Sequence, residues 1–133
     1  MRRYVIIGAG AIGGGIGARL VQAGVPTVLV ARGAHLESLQ QHGLRLRTPR
    51  EDVVLPVTAV GSIADVDLSP DDVIVVSVKT QQLLDVLPEV ADALVRDAAG
   101  SVLGTVGELL PVFMATNGVS AEPLAARYVR RVF

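Results

Sequence analysis

At 133 residues, half of them hydrophobic, the chain is long enough to bury a core and too apolar for disorder, yet short for a complete two-domain enzyme. A formal net charge of −1 argues against a nucleic-acid surface, which needs clustered positive charge. The absence of cysteine excludes disulfides, thiolate metal sites and cysteine nucleophiles.

Met1-Arg2-Arg3 followed by an uncharged run to Ala18 has the outline of a signal peptide. Six of the ten residues from Gly8 to Gly17 are glycine, however, and glycine opposes the helix that an apolar signal core forms. No uncharged run reaches the ~18 residues of a transmembrane helix, so a soluble, cytoplasmic protein is expected. Val5-Ile6-Ile7 instead reads as a strand that feeds a glycine-rich turn, Gly8-Ala9-Gly10-Ala11-Ile12-Gly13, which opens a segment of helical period. In that setting G-x-G-x-x-G indicates dinucleotide binding. Gly8 allows the tight turn, Gly10 lets backbone approach a pyrophosphate, and Gly13 lets the helix pack close to the strand. The pyrophosphate then meets unpaired N–H groups on the positive end of the helix dipole.

Ile12, Ile16 and Leu20 form an apolar stripe on this helix, and Gly13 and Gly17 a second, narrow face. Gly24 and Pro26 end it. Thr27 to Ala31 reads as a buried strand, completing a right-handed βαβ unit and predicting a doubly wound, mostly parallel α/β sheet. An Asp or Glu at the end of this second strand holds the ribose 2′-hydroxyl of NAD. Here the slot holds Ala31, followed by Arg32. A guanidinium without a competing carboxylate favours the 2′-phosphate of NADP; the other reading of Arg32 is a solvated loop arginine.

Ala34 to Gln41 predicts a short helix ended by Gly43. His35 and His42 lack a second ligand at helical metal spacing, so both read as surface residues and no metal site is expected. Leu44 to Arg47 and Val53 to Val57 predict an antiparallel hairpin, with Pro56 at a strand edge or end. Ser62 to Asp67 predicts nothing definite. A turn at Ser69 to Asp72 leads to an apolar strand, Val73 to Val78. That strand empties into Lys79-Thr80-Gln81-Gln82, at the edge where open α/β sheets bind ligands. Lys79 is either a second charge for a 2′-phosphate or a solvated lysine. Leu83, Leu84, Leu87, Val90, Ala91, Leu94 and Val95 give a helical stripe that Pro88 kinks or divides. Ala98 to Gly107 reads as a loop and Leu109 to Ala115 as a strand ending at the polar turn Thr116-Asn117-Gly118. Ser120 is placed to cap a last helix through about Arg127, and Val129 to Phe133 starts a further strand. As an exposed sheet edge, that strand would favour pairing with another chain, such as a homodimer partner.

In this order, the Gly8–Gly13 loop, Arg32, Lys79 with Gln82, and Asn117-Gly118 resemble the ketopantoate reductase (2-dehydropantoate 2-reductase) family. Gly43-Leu44-Arg45-Leu46 is similar to the family's helix-to-strand passage. The resemblance implies a Rossmann-like NADP-binding domain and NADPH-dependent reduction of a 2-keto acid, 2-dehydropantoate, to its 2-hydroxy acid, pantoate, on the pantothenate route. It implies that Arg32 and Lys79 hold the 2′-phosphate and that Asn117 lies by the nicotinamide and the substrate. The cofactor-binding set is thus Gly8, Ala9, Gly10, Ala11, Ile12, Gly13, Arg32, Lys79 and Asn117. The family's general-acid lysine and most substrate ligands lie in a following helical domain, and Lys79 is the only lysine here. The chain is therefore expected to be one NADP-binding domain, cut before a substrate domain, with little activity alone and no catalytic residue of its own. A stand-alone NADP-binding module, and a Rossmann dehydrogenase for another hydroxy acid, are the competing readings.

Overall fold

Uncharged β-branched runs form the centre of the molecule. The computed structural model describes residues 2–116 and 121–133. Five parallel strands make one sheet: β1 (Arg3–Ile7), β2 (Thr27–Val30), β5 (Thr58–Val60), β6 (Asp72–Val76) and β9 (Val112–Met114). Their order is β5-β2-β1-β6-β9. Val132 bridges Val112 in parallel, so residues 131–133 lie alongside β9 at the sheet's far edge. The Phe113 and Phe133 rings stack across that pairing, with centroids 5.0 Å apart.

Alternation along each strand serves two cores. Val5 and Ile7 of β1, Val28 and Val30 of β2, and Ile74 and Val76 of β6 enter one core. Ile6, Leu29 and Val75 enter the other. Burial on both faces explains why these strands are continuously apolar. Helix α1 (Ala11–Gln22) and α2 (Gly33–His42) precede β2 and β5, whereas α3 (Leu83–Asp92), the one-turn α4 (Val106–Leu109) and α5 (Ala121–Ala125) follow β6. Leu39 of α2 lies in the core with Ile6, and Leu87 and Val90 of α3 lie in the opposite one. This is the doubly wound arrangement expected from the βαβ pattern. No helix among the described residues is long and apolar enough to cross a membrane.

Two features of α1 differ from the helical-stripe expectation. Its buried residues are Gly13, Gly14, Gly17 and Ala18, whereas Ile12 is 42% exposed. Ile16 and Leu20 are half-buried against the core. The glycine face wins because the helix lies so close to the sheet: a Cβ on Gly17 would stand 2.8 Å from Leu29 Cδ2. A Cβ on Gly14 would stand 3.3 Å from the Ala9 carbonyl oxygen and in ordinary contact, 3.6 Å, with Leu44 of the hairpin formed by β3 (Leu44–Arg47) and β4 (Asp52–Leu55). The helix ends in a Schellman motif, with Val25 N–H on Leu20 O and Gly24 N–H on Val21 O, both 3.0 Å.

The hairpin carries a fork-to-fork ion pair on its exposed face, Arg45 Nε and Nη2 donating to the Asp52 carboxylate at 2.8 and 2.7 Å. Hydrogen bonding from Arg45 holds the Asp52 carboxyl below its ordinary value. Its contribution is therefore complete above the ordinary carboxylate range and is lost as pH falls through the lowered value. Asp52→Asn is expected to lower Tm slightly at neutral pH. Thermal melts in strong acid should show no difference from the parent.

The second half departs further from expectation. Helix α3 stops at Asp92 because Ala93 turns extended, at φ −61°, ψ 139°. Leu94 and Val95, placed by period in the helical stripe, belong instead to β7 (Leu94–Arg96). The expected loop from Ala98 contains β8 (Val102–Thr105), antiparallel to β7. A tight turn joins them, in which Asp97 Oδ1 accepts from Ala99 N and Ser101 N. Leu109 falls in α4, so the strand expected over Leu109 to Ala115 shrinks to β9. Pro88 sits inside one continuous α3. The carbonyl it leaves without its helical donor is that of exposed Leu84, within reach of solvent. Strand β5, which begins two residues after Pro56, was not foreseen. The expected cap Ser120 and the Asn117-Gly118 turn lie outside the described residues.

Candidate functional site

Strand order reverses between β1 and β6, and at their carboxyl ends the glycine turn is built. Gly8 has φ +90°, a left-handed conformation that side chains resist, and a Cβ there would stand 2.9 Å from Val78 Cγ1. Its N–H continues the ladder by donating to Val30 O at 2.9 Å. A Cβ on Gly13 would run into the Gly8 carbonyl oxygen and Ser77 Oγ. Gly10, by contrast, has nothing within 4 Å of a built Cβ. Gly8 and Gly13 thus answer to the protein's own packing, and Gly10 to open space.

Ser77 fastens the turn. Its N–H donates to Ile7 O at 2.9 Å, and its hydroxyl lies against Ile7 O, at 3.1 Å, and Gly8 O. The sequence reading passed over this residue as part of the apolar strand. The signal was there: it is the one polar side chain in Val73-Ile74-Val75-Val76-Ser77-Val78, at the ligand-binding edge.

Gly10 is the N-cap of helix α1, so no cap side chain closes its first turn, and that turn carries no acidic residue. Ala11 and Ile12 are exposed on it, while Ala9 is buried behind the turn. A twelve-residue helix presenting its N-terminus beside an open glycine is suited to an anion. The residues present therefore fit a diphosphate.

Next to the turn lies a cleft of about 300 Å³. One wall is Gly8, Ala9, Ala31 and Arg32; the other comes from α3, including Val86 and Glu89. Arg32 is the residue before α2 and is extended, at φ −131°, ψ 156°. Its side chain is 77% exposed, and Nη2 lies 3.5 Å from Glu89 Oε2. His35, also exposed, lies on the same cleft from α2. Gln82 lines it as well, its Oε1 accepting from Lys79 N at 3.2 Å. The structure therefore gathers Gly8, Ala9 and Arg32 around the cleft with the exposed loop residues beside it. Lys79 is exposed three residues beyond β6, and the cleft is lined by Val78 and Gln82 on either side of it rather than by Lys79 itself. Asn117 lies outside the described residues. Among those residues no group of three His, Asp or Glu side chains is placed to hold a metal.

Ser62, Asp85 and Glu89 also line this cleft, and sequence reasoning gave none of them a role. Asp85 and Glu89 are four residues apart on α3, a spacing that puts both on one helix face.

Residues 4–133 match the family described as Ketopantoate reductase PanE/ApbA. The chain is 40% identical over 93 residues to a 2-dehydropantoate 2-reductase of Mesorhizobium japonicum, covering 69% of this chain and 28% of that relative. It is 35% identical over 97 residues to a 2-dehydropantoate 2-reductase of a Nostoc species, covering 72% and 29%. Its fold is similar to the crystal structure of a PanE/ApbA family ketopantoate reductase from Ralstonia eutropha, with a TM-score of 0.77 at 25% identity, covering 98% of this chain and 39% of that one. The chain thus spans less than a third of the length of the two curated relatives.

Proposed function

The chain belongs to the ketopantoate reductase family, and we propose that it is the NADP(H)-binding domain of an oxidoreductase that reduces 2-dehydropantoate to pantoate in pantothenate biosynthesis. The observation that carries this reading is the division of labour in the glycine turn. Two glycines are demanded by internal packing, and the one between them faces open space at a helix N-terminus.

In this reading the N–H groups at the start of α1 hold the pyrophosphate, with Ala9, Ala11 and Ile12 shaping the approach. The apolar wall that includes Val86 faces the adenosine. Arg32 and Lys79 hold the 2′-phosphate, the first through its bidentate fork, the second as a point charge. Asn117 stands near the nicotinamide and the substrate. When bound, the cofactor supplies the hydride; the chain's own residues bind and orient it. Nothing in the described residues is assigned the proton for the reduced oxygen, so the 133-residue chain is expected to bind NADPH and turn over little 2-dehydropantoate.

Calorimetric titration with NADPH and NADH tests the assignment. Arg32→Ala is expected to weaken NADPH about ten-fold, the loss of a charge-assisted contact, and to leave NADH within about two-fold. An unchanged NADPH preference would defeat the cofactor assignment. Robust turnover of 2-dehydropantoate by the 133-residue chain would defeat the restriction to a cofactor domain.

A further inference from the structure

A cleft for a dianionic 2′-phosphate should be positive, yet two carboxylates, Asp85 and Glu89, line this one together with Arg32 and His35, and Glu89 faces the Arg32 guanidinium. We propose that Glu89 is a specificity-determining residue: it occupies the face of Arg32 that a 2′-phosphate needs, and so narrows the preference for NADPH over NADH. The inference rests on the reading of this cleft as the adenosine end of a dinucleotide site.

Glu89 is held in place from two sides. Its Oε2 lies 3.5 Å from Arg32 Nη2. Its Oε1 accepts from the Ser62 hydroxyl at 3.2 Å. Ser62 is itself fixed as the cap of the short 3₁₀ turn Ile63–Asp65, where Ala64 N–H donates to its hydroxyl at 3.2 Å. The carboxylate thus links Ser62, two residues beyond β5, to Arg32, two residues beyond β2, and all three residues line the cleft. Both ends of the Arg32–Glu89 pair are substantially exposed, 77% and 43%, so breaking the pair is cheap and the carboxylate does not block the site. A phosphate must take Arg32 from Glu89 and then stand beside the displaced negative charge. A ribose 2′-hydroxyl makes no such demand, and a carboxylate can accept its proton in a hydrogen bond. Asp85 adds negative charge to the same cleft.

Glu89→Gln removes the charge and keeps an amide able to accept from Ser62. Isothermal titration of NADPH and NADH into the 133-residue protein reads the effect. NADPH should bind about three- to ten-fold more tightly, with the larger gain at low ionic strength, while NADH stays within about two-fold. In an Arg32→Ala background the same substitution should change NADPH binding less than about two-fold, because no guanidinium remains to be released. Equal changes for the two dinucleotides, no change, or weaker NADPH binding would overturn the role of Glu89. Wild-type protein that binds neither dinucleotide, or an Arg32→Ala variant that keeps its NADPH affinity, would overturn the underlying cofactor reading instead. Effective Arg32→Ala with a silent Glu89→Gln would remove only this inference.

Discussion

Gly13→Ala is expected to lower stability by about 3 kcal/mol and to abolish measurable dinucleotide binding, through one added methyl group. In an exposed helix the change would gain about 1 kcal/mol. Here the methyl collides with the Gly8 carbonyl oxygen and Ser77 Oγ. The serine can rotate away, at the cost of its hydrogen bonds to Ile7 and Gly8. The carbonyl belongs to the backbone of the turn and cannot, so α1 must move off the sheet. Overpacking of this kind costs about 1–3 kcal/mol, occasionally more, and the wasted helical gain and broken serine bonds place this case at the upper end. In a chain of this size a 3 kcal/mol loss lowers Tm by roughly 10 °C. Moving the start of α1 also withdraws the N–H groups proposed to hold the pyrophosphate. Each charge-assisted hydrogen bond contributes about 1.5–3 kcal/mol, so losing two weakens binding by 100-fold or more.

Gly10→Ala is the control that separates packing from ligand. Gly10 lies at φ −72°, ψ −157°, extended backbone open to any residue, and its added methyl meets no protein atom within 4 Å. Stability should fall by less than about 1 kcal/mol, the difference between glycine and alanine at a helix cap. Dinucleotide binding should nonetheless weaken ten-fold or more, because the methyl projects into the space assigned to the pyrophosphate. Thermal melts and calorimetric titrations on the two variants give the comparison. A Gly10→Ala protein that binds NADPH like the parent would remove the glycine turn from the site.

What the sequence revealed and what it hid divide along a physical line. The turn from Gly8 to Gly13, the strands through Leu29 and Ile74, and the Leu44–Leu55 hairpin all announce themselves locally, by period, by glycine placement or by alternation. Leu94 and Val95 misled because they extend the period of α3 in register. Only the extended backbone at Ala93, and pairing with Thr105 and Gly104 of β8, turn them into a strand. Val102 and Leu103 remain exposed, so no burial pattern marked β8. The same limit applies at the site. Arg32 was legible because β2 delivers it at a known position, whereas Glu89 looks like any charged residue on a solvated helix face. Its meaning comes from a partner 57 residues away, brought opposite by the sheet order.

The other large effect lies at the opposite end of the same strands. Arg3 opens β1 and Asp72 opens β6, directly paired in register. Arg3 Nε and Nη2 donate to the two Asp72 carboxylate oxygens, each at 2.8 Å, and Ser69 N–H donates to Oδ2 at 2.8 Å. Asp72 is only 1% exposed. The carboxylate is stable there because each oxygen has a donor and the guanidinium balances its charge. Sequence reading had left Asp72 in a polar turn and Arg3 in the basic N-terminus. Arg3→Met would keep the apolar stem but strand a buried negative charge with one backbone donor, at a cost of about 3–5 kcal/mol. Adding Asp72→Asn should recover part of that loss, since the amide oxygen still accepts from Ser69 N–H and carries no charge. Because β1 places Arg3 at the strand end remote from Gly8, the folded variants should bind dinucleotide as the parent does. Chemical denaturation with NADPH titration below the midpoint checks both. If Arg3→Met/Asp72→Asn is no more stable than Arg3→Met alone, the cost does not arise from the unpaired carboxylate, and the pair is not what fastens β1 to β6.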